Sequence, residues 1–253
     1  MRVSVIMPAY NRAALLPAAL GSLLRQRHEA ELDIIVVDDG STDGTEAVLQ
    51  DFARRYGEVR YTRQEHAGVA RARNHGRSLL PDAADLVTFL DSDDVAVAGR
   101  FALEMPWFEG DPQLALTYSQ ITLTDAIDDL LFRPAAGAKT CTVRGVSLST
   151  ALFRKSALDA LGPFDERLEQ HEDQDLLYRF FESGQKFQML DHVSVLYRRH
   201  AGNTTRDHQE AMRNLLRVLA LAIQRRRADP SLGALPRFFD VATLFEAENA
   251  WTR

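Results

Sequence analysis

The chain has 253 residues, a formal net charge of −6, and 45% hydrophobic and 26% charged residues, enough apolar material for one large core or two fused subdomains. The acidic balance argues against nucleic acid as the main partner, since such proteins carry a basic footprint. The lone Cys141 permits neither an intrachain disulfide nor a cysteine zinc site, and no apolar run is long enough for a secretory signal or a bilayer span, so a cytoplasmic location is expected.

Val3–Met7 reads as a first strand closed by Pro8. Asn11 is placed to cap a helix whose Leu15, Leu16, Ala19, Leu20, Leu23 and Leu24 recur at helical spacing, with Pro17 delaying its regular part. Ile34–Val37 is a β-branched run buried on both faces, ending in the acidic loop from Asp38 to Thr45. Asp43 and Glu46 have the spacing of a capping box, whereas Asp38 and Asp39, nearer the strand end, are better placed to meet a ligand. A short strand at Val59–Tyr61 precedes a small-residue helix from Gly68 to Arg77. Arg77 is expected on a solvated face; Arg73 is balanced between that role and a forked contact with phosphate or a base edge.

The most informative run is Leu86–Asp94, an apolar strand that delivers Asp91, Asp93 and Asp94 at its C-terminal end. Ligands of open α/β sheets bind there, and hard cations such as Mg2+ or Mn2+ take one or two carboxylates plus substrate phosphates. The run from Asp91 to Val95 also fits the pattern of haloacid dehalogenase-type phosphatases, with Asp91 as nucleophile. Beyond it, Leu114–Leu123 reads as a strand, Asp125–Thr142 as loop-rich, and Lys155–Leu161 as a helix stopped by Gly162-Pro163. Glu172, Asp173 and Asp175 fall in the first turn of an amphipathic helix, where a carboxylate can serve as dipole partner or general base. His171 is expected to be a surface or packing residue. The strand Val193–Tyr197 runs into Arg198, Arg199 and His200, which puts donors at another strand end.

In this order, the segments Val3–Asn11, Val36–Thr45, Ala72–Gly76, Phe89–Asp94, Gly162–Glu166, Glu172–Leu176 and Tyr197–His200 resemble the family 2 glycosyltransferases, inverting enzymes of the α/β GT-A fold, over residues 3 to 202. The resemblance implies a Rossmann-like nucleotide-sugar-binding half (residues 1–95), an acceptor-binding and catalytic-base half (96–205) and a C-terminal helical extension (206–253). It implies that Pro8, Ala9 and Tyr10 line the nucleotide base, that Asp39 bonds the base or ribose, and that Arg73 lies close to the nucleotide. Asp91 and Asp93 would form the D-x-D motif, Asp91 near ribose and metal and Asp93 on the metal, an Mn2+ or Mg2+ ion, and His200 would approach the diphosphate or that metal. Asp94 would support them. Asp173 matches the catalytic base, and Glu172 would contact the acceptor or orient the site.

The implied reaction moves a sugar from a nucleotide-diphosphate sugar, UDP being the commonest nucleotide and GDP and dTDP staying open, to a carbohydrate or glycoconjugate hydroxyl. The phosphatase and a non-catalytic nucleotide-sugar binder are the alternatives. Met212, Leu215, Leu216, Leu219, Ala222 and Ile223 form an apolar stripe, with Arg213, Arg217 and Arg225–Arg227 a basic remainder. That helix is expected to pack on the catalytic domain or on a second subunit, with peripheral contact at the inner membrane face as the alternative.

Overall fold

Apolar runs buried on both faces satisfy their backbone only by pairing along both edges, which draws the N-terminal strands into one parallel sheet. The protein is described by a computed structural model over residues 1–144, 147–200, 203 and 208–235. Strands β1 (Arg2–Ala9), β2 (Glu31–Asp38), β3 (Val59–Arg63) and β4 (Leu86–Phe89) lie parallel in the order β3-β2-β1-β4, joined by helices α1 (Leu16–Leu24), α2 (Thr45–Arg55) and α3 (Val69–Ser78). β1 runs through Pro8 rather than stopping before it. Ile6 O accepts from Leu90 N on the β4 side, so Pro8, two residues on, turns the edge without an N–H toward the point where β4 has already ended.

The chain continues through β5 (Val95–Ala96), α4 (Arg100–Gly110), β6 (Leu116–Thr124), β7 (Ile127–Asp128), β8 (Arg133–Pro134), β9 (Thr140–Val143), β10 (Ala151–Arg154), α5 (Lys155–Ala160), α6 (Glu172–Glu182), β11 (Phe187–Arg198) and α7 (His208–Ala228). The same sheet extends past β4 as β10-β6-β11-β5, with β9 on β6; β10 is antiparallel to both neighbours, and β11 is parallel to β6. One nine-stranded sheet therefore crosses residue 95, and between β4 and β5 the chain leaves the sheet interior for its far edge. That crossing segment is Asp91–Asp94.

Several local expectations change in the folded chain. Asn11 caps no helix: its backbone is left-handed (φ 51°) and its Oδ1 accepts from Thr42 N at 2.8 Å, tying β1 to the acidic loop. Asp43 does anchor the start of α2, accepting from Thr45 N at 2.9 Å, but the box stays open because Glu46 turns to Arg63. Arg77 is no solvated residue; it donates to the carbonyls of Leu158 and Gly162 and clamps α3 to α5. The C-terminal stripe divides: Leu215 is buried, Ala222 is buried beside Val218 in the core cluster of Phe180 and Phe181, and Leu216 and Ile223 face outward. Arg225 belongs to no free basic remainder: it bonds Asp175 and Glu182, both at 2.7 Å. Positions 206–207 and 236–253 of the expected extension lie outside the described residues.

Candidate active site

The strands that lead into candidate residues all end on the same side of the sheet. Parallel β1, β2 and β4 all point their C-terminal ends there, and β11 brings its own end beside the Asp91–Asp94 crossing through its pairing with β5. Ligands of open α/β sheets sit at such an edge because strand ends leave backbone and side-chain polar groups free to converge.

On the β1/β2 side, Pro8 and Ala9 are buried or nearly so, and Tyr10, 39% exposed, stacks on His66 with ring centroids 4.1 Å apart and an interplanar angle of 20°. Asp39 sits beneath this pair. Its carboxylate accepts from Ala67 N and Gly68 N, both at 2.9 Å, and from Gln64 Nε2 at 2.7 Å, so it organises the loop before α3. An open cleft beside it is lined by Gly40, Arg63, Gln64, Glu65 and His66. His66 escaped sequence reasoning because nothing in its own neighbourhood pairs it with Tyr10.

On the β4 side, Asp91 Oδ1 accepts from Arg73 Nη2 at 2.8 Å, and the other arm of that guanidinium grips Glu172. Arg73 is thus brought to the site as one alternative had it, from a helix α3 whose Gly76 lets the backbone lie close on β1: a Cβ there would meet Ile6 Cγ2 at 2.5 Å. Burial by itself would lower the Arg73 pKa, but Asp91, Glu172 and Asp173 around it raise it, so the guanidinium stays charged. Burial pushes Glu172 up to about 7, against the pull of Arg73. Asp173 follows on α6, half-buried, with its Oδ1 accepting from Gln174 N at 2.8 Å, and its charge is felt by Asp91 and Arg73. His171 occupies the residue before α6 in a left-handed conformation (φ 63°).

Asp93 collects two partners through Oδ2: Arg12 Nε donates at 3.2 Å and His200 Nε2 lies at 3.0 Å. Arg198 holds this turn from behind, its Nε on Asp93 O and its backbone N on Asp94 Oδ1, both at 3.0 Å. Asn203 fixes the segment around His200, accepting from His200 N at 2.5 Å and donating to Arg198 O at 3.1 Å. Arg12 was not among the expected site residues.

Asp94 is 1% exposed, its Oδ2 is buried without a hydrogen-bond partner, and burial together with Asp93 and Asp91 pushes its pKa well up. Burial, Asp93 and Asp173 push Asp91 the same way, with Arg73 opposing. Carboxylates that raise one another's pKa form a site that a cation would relieve. Among the described residues no three His, Cys, Asp or Glu side chains are grouped so that they could hold a metal ion by themselves; a hard cation here would have to complete its shell with phosphate oxygens and water. Asp93, with His200 on its Oδ2, and Asp91, with Arg73 on its Oδ1, would be the donors offered to such an ion.

The sequence model described as "Glycosyl transferase family 2" matches residues 4–122. Validoxylamine A glucosyltransferase of Streptomyces hygroscopicus subsp. jinggangensis is 44% identical over 97 residues, 37% of this chain and 22% of that protein. Glycosyltransferase GlyG of Streptococcus pneumoniae serotype 4 is 25% identical over 224 residues, 81% of this chain and 73% of that protein. The chain therefore spans about a fifth of the first relative and most of the second. Among solved structures, Staphylococcus aureus TarS 1-349 has a TM-score of 0.66 at 20% identity, covering 88% of this chain and 64% of that one. The mannosyltransferase PcManGT from Pyrobaculum calidifontis, solved with GDP-Man and Mn2+, has a TM-score of 0.68 at 21% identity, covering 97% and 68%. The architecture is the GT-A fold. Across the described residues no helix is long and apolar enough to cross a membrane.

Proposed function

We propose, from the premise that residues 4–122 belong to glycosyl transferase family 2, that the chain transfers a sugar from a nucleotide-diphosphate sugar to an acceptor hydroxyl with inversion at the anomeric carbon. The observation that carries this reading is the bridge made by Arg73, which joins Asp91 at the end of β4 to Glu172 at the start of α6 and so sets Asp173 beside the acidic crossing.

In this reading Pro8, Ala9 and the Tyr10–His66 stack flank the nucleotide base, and Asp39 either bonds base or ribose directly or shapes the loop that does. Asp91, Asp93 and His200 would hold a divalent cation, which when bound would neutralise charge on the leaving diphosphate. Asp173 accepts the proton of the attacking hydroxyl, a role open to an acceptor-only carboxylate within reach of the substrate. Glu172, pinned by Arg73, orients the first turn of α6 and hence Asp173. Attack on the face opposite the leaving group in one displacement inverts the configuration and needs no covalent enzyme intermediate. UDP is the first nucleotide to test, with GDP and dTDP beside it. Residues 1–95 would serve the donor and 96–205 the acceptor, with α7 as an extension.

The test is a thermal-shift panel of UDP, GDP and dTDP with and without Mn2+, since a ligand that binds only the folded state raises its stability. One nucleotide should stabilise the parent in an Mn2+-dependent way and Asp93→Ala should lose that gain while its own melting temperature stays near the parent's. Equal stabilisation of parent and variant with metal present refutes the assignment.

A further inference from the structure

We infer that Arg12 is an exchangeable counter-ion of Asp93: its guanidinium holds that carboxylate until a divalent cation displaces it, and then turns to the diphosphate of the nucleotide. The inference rests on the cation reading above and adds to it a donor-binding residue that also competes with the metal.

Three observations lead there. Arg12 Nε donates to the same Oδ2 of Asp93 that His200 approaches, so the guanidinium occupies a position a cation on that oxygen would contest. A dication and a guanidinium on one oxygen repel each other, and in a partly buried site the repulsion is poorly screened. Secondly, the backbone of Arg12 is fixed while its side chain is not enclosed. Its N–H donates to Thr45 Oγ1 at 2.8 Å and its carbonyl accepts from Leu15 N and Leu16 N, whereas the side chain keeps 24% of its surface exposed. Displacement therefore costs side-chain rotations and no loop movement.

Thirdly, Arg12 spans the two sides of the site. It follows Tyr10 by two residues, donates through Nη1 to the carbonyls of Tyr10 and Asn11 at 3.2 and 3.3 Å, and reaches Asp93 with Nε. A diphosphate linking a base at Tyr10 to a cation at Asp93 must cross this interval, and a guanidinium matches phosphate oxygens in a fork. Asp93 loses one positive neighbour and gains a stronger one, while Arg12 exchanges a carboxylate for a phosphate.

The experiment is a calorimetric titration of the full chain and its Arg12→Gln and Arg12→Lys variants, first with MnCl2 alone and then, at saturating Mn2+, with whichever of UDP, GDP or dTDP stabilises the parent. Arg12→Gln should bind Mn2+ several-fold tighter and the nucleotide about tenfold weaker, the size of one charge-assisted hydrogen bond. Arg12→Lys should fall between the two in both titrations. A residue that merely supports the fold would weaken both; that result, or no change in both, overturns the inference while leaving the proposed function intact. If no nucleotide binds the parent, the function fails and the Mn2+ titration alone decides: tighter binding by Arg12→Gln keeps the counter-ion role, and equal or absent binding removes it.

Discussion

The guanidinium of Arg73 and the carboxylate of Glu172, 99 residues apart in the chain and each only 5% exposed at the side chain, form a buried ion pair that joins α3 to the first turn of α6. The pair stitches the N-terminal strand-and-helix region to the helix that carries Asp173, so one interaction serves both stability and the geometry of the site.

Removing one partner leaves the other as an uncompensated buried charge. Arg73→Gln is expected to lower the unfolding free energy by about 3 kcal/mol or more, the usual cost of breaking a buried pair from one side. Glu172→Gln should cost less, because a neutral amide can still accept from Arg73. Urea unfolding of the two variants against the parent decides the order.

The Glu172 proton gives a pH signature. Its folded pKa, about 7, lies above the ordinary 4.5, so between these values the folded chain binds more protons than the unfolded one. Stability from this group is then complete below about pH 4.5 and declines as pH rises through about 7. The stability difference between parent and Glu172→Gln should drift in that window, in favour of the variant toward higher pH. A difference independent of pH from 4.5 to 8 would mean that the pair keeps Glu172 ionised throughout.

Asp173→Asn keeps the size of the side chain and one acceptor but cannot take up the proton. Transfer to a confirmed acceptor should fall by about 10²-fold or more with donor binding preserved, and the parent's product should carry the anomeric configuration opposite to the donor's. Near-parental turnover would move the base to another carboxylate, with Glu172 the first to examine.

Gly76→Ala separates helix propensity from packing. Alanine in a helix interior is worth about 1 kcal/mol over glycine, yet the added Cβ would stand 2.5 Å from Ile6 Cγ2 in the centre of β1. Overpacking costs about 1–3 kcal/mol, so the variant should melt lower than the parent. A rise in melting temperature would show that α3 can lift off the sheet without penalty.

The docking of α7 is tested by neighbours on one helix. Leu215→Ala should destabilise by about 2–3 kcal/mol as a buried large-to-small change. Leu216→Ala, at a side chain 58% exposed, should stay within about 0.5 kcal/mol. Equal effects would place α7 elsewhere on the molecule.

What the sequence by itself determined is the set of elements whose burial is symmetrical and whose chemistry is local. The run 34–37 is apolar throughout and 86–90 is apolar but for Thr88, because parallel strands are covered on both faces, and the acids that follow them mark strand ends whatever lies beside them. The order of the short segments from Val3 to His200 likewise pointed to the GT-A architecture without a contact map. Only the tertiary structure decided which groups meet. The two-residue β5 has no periodicity to read, and β10 enters between β4 and β6 against the chain direction of both. Arg73 and Arg77 share one helix face, yet one bridges two carboxylates and the other clamps carbonyls. Arg12 on Asp93 and His66 on Tyr10 join residues 81 and 56 positions apart. Such pairings depend on which strand ends are brought side by side, a matter of sheet order and long-range packing that no local pattern of residues encodes.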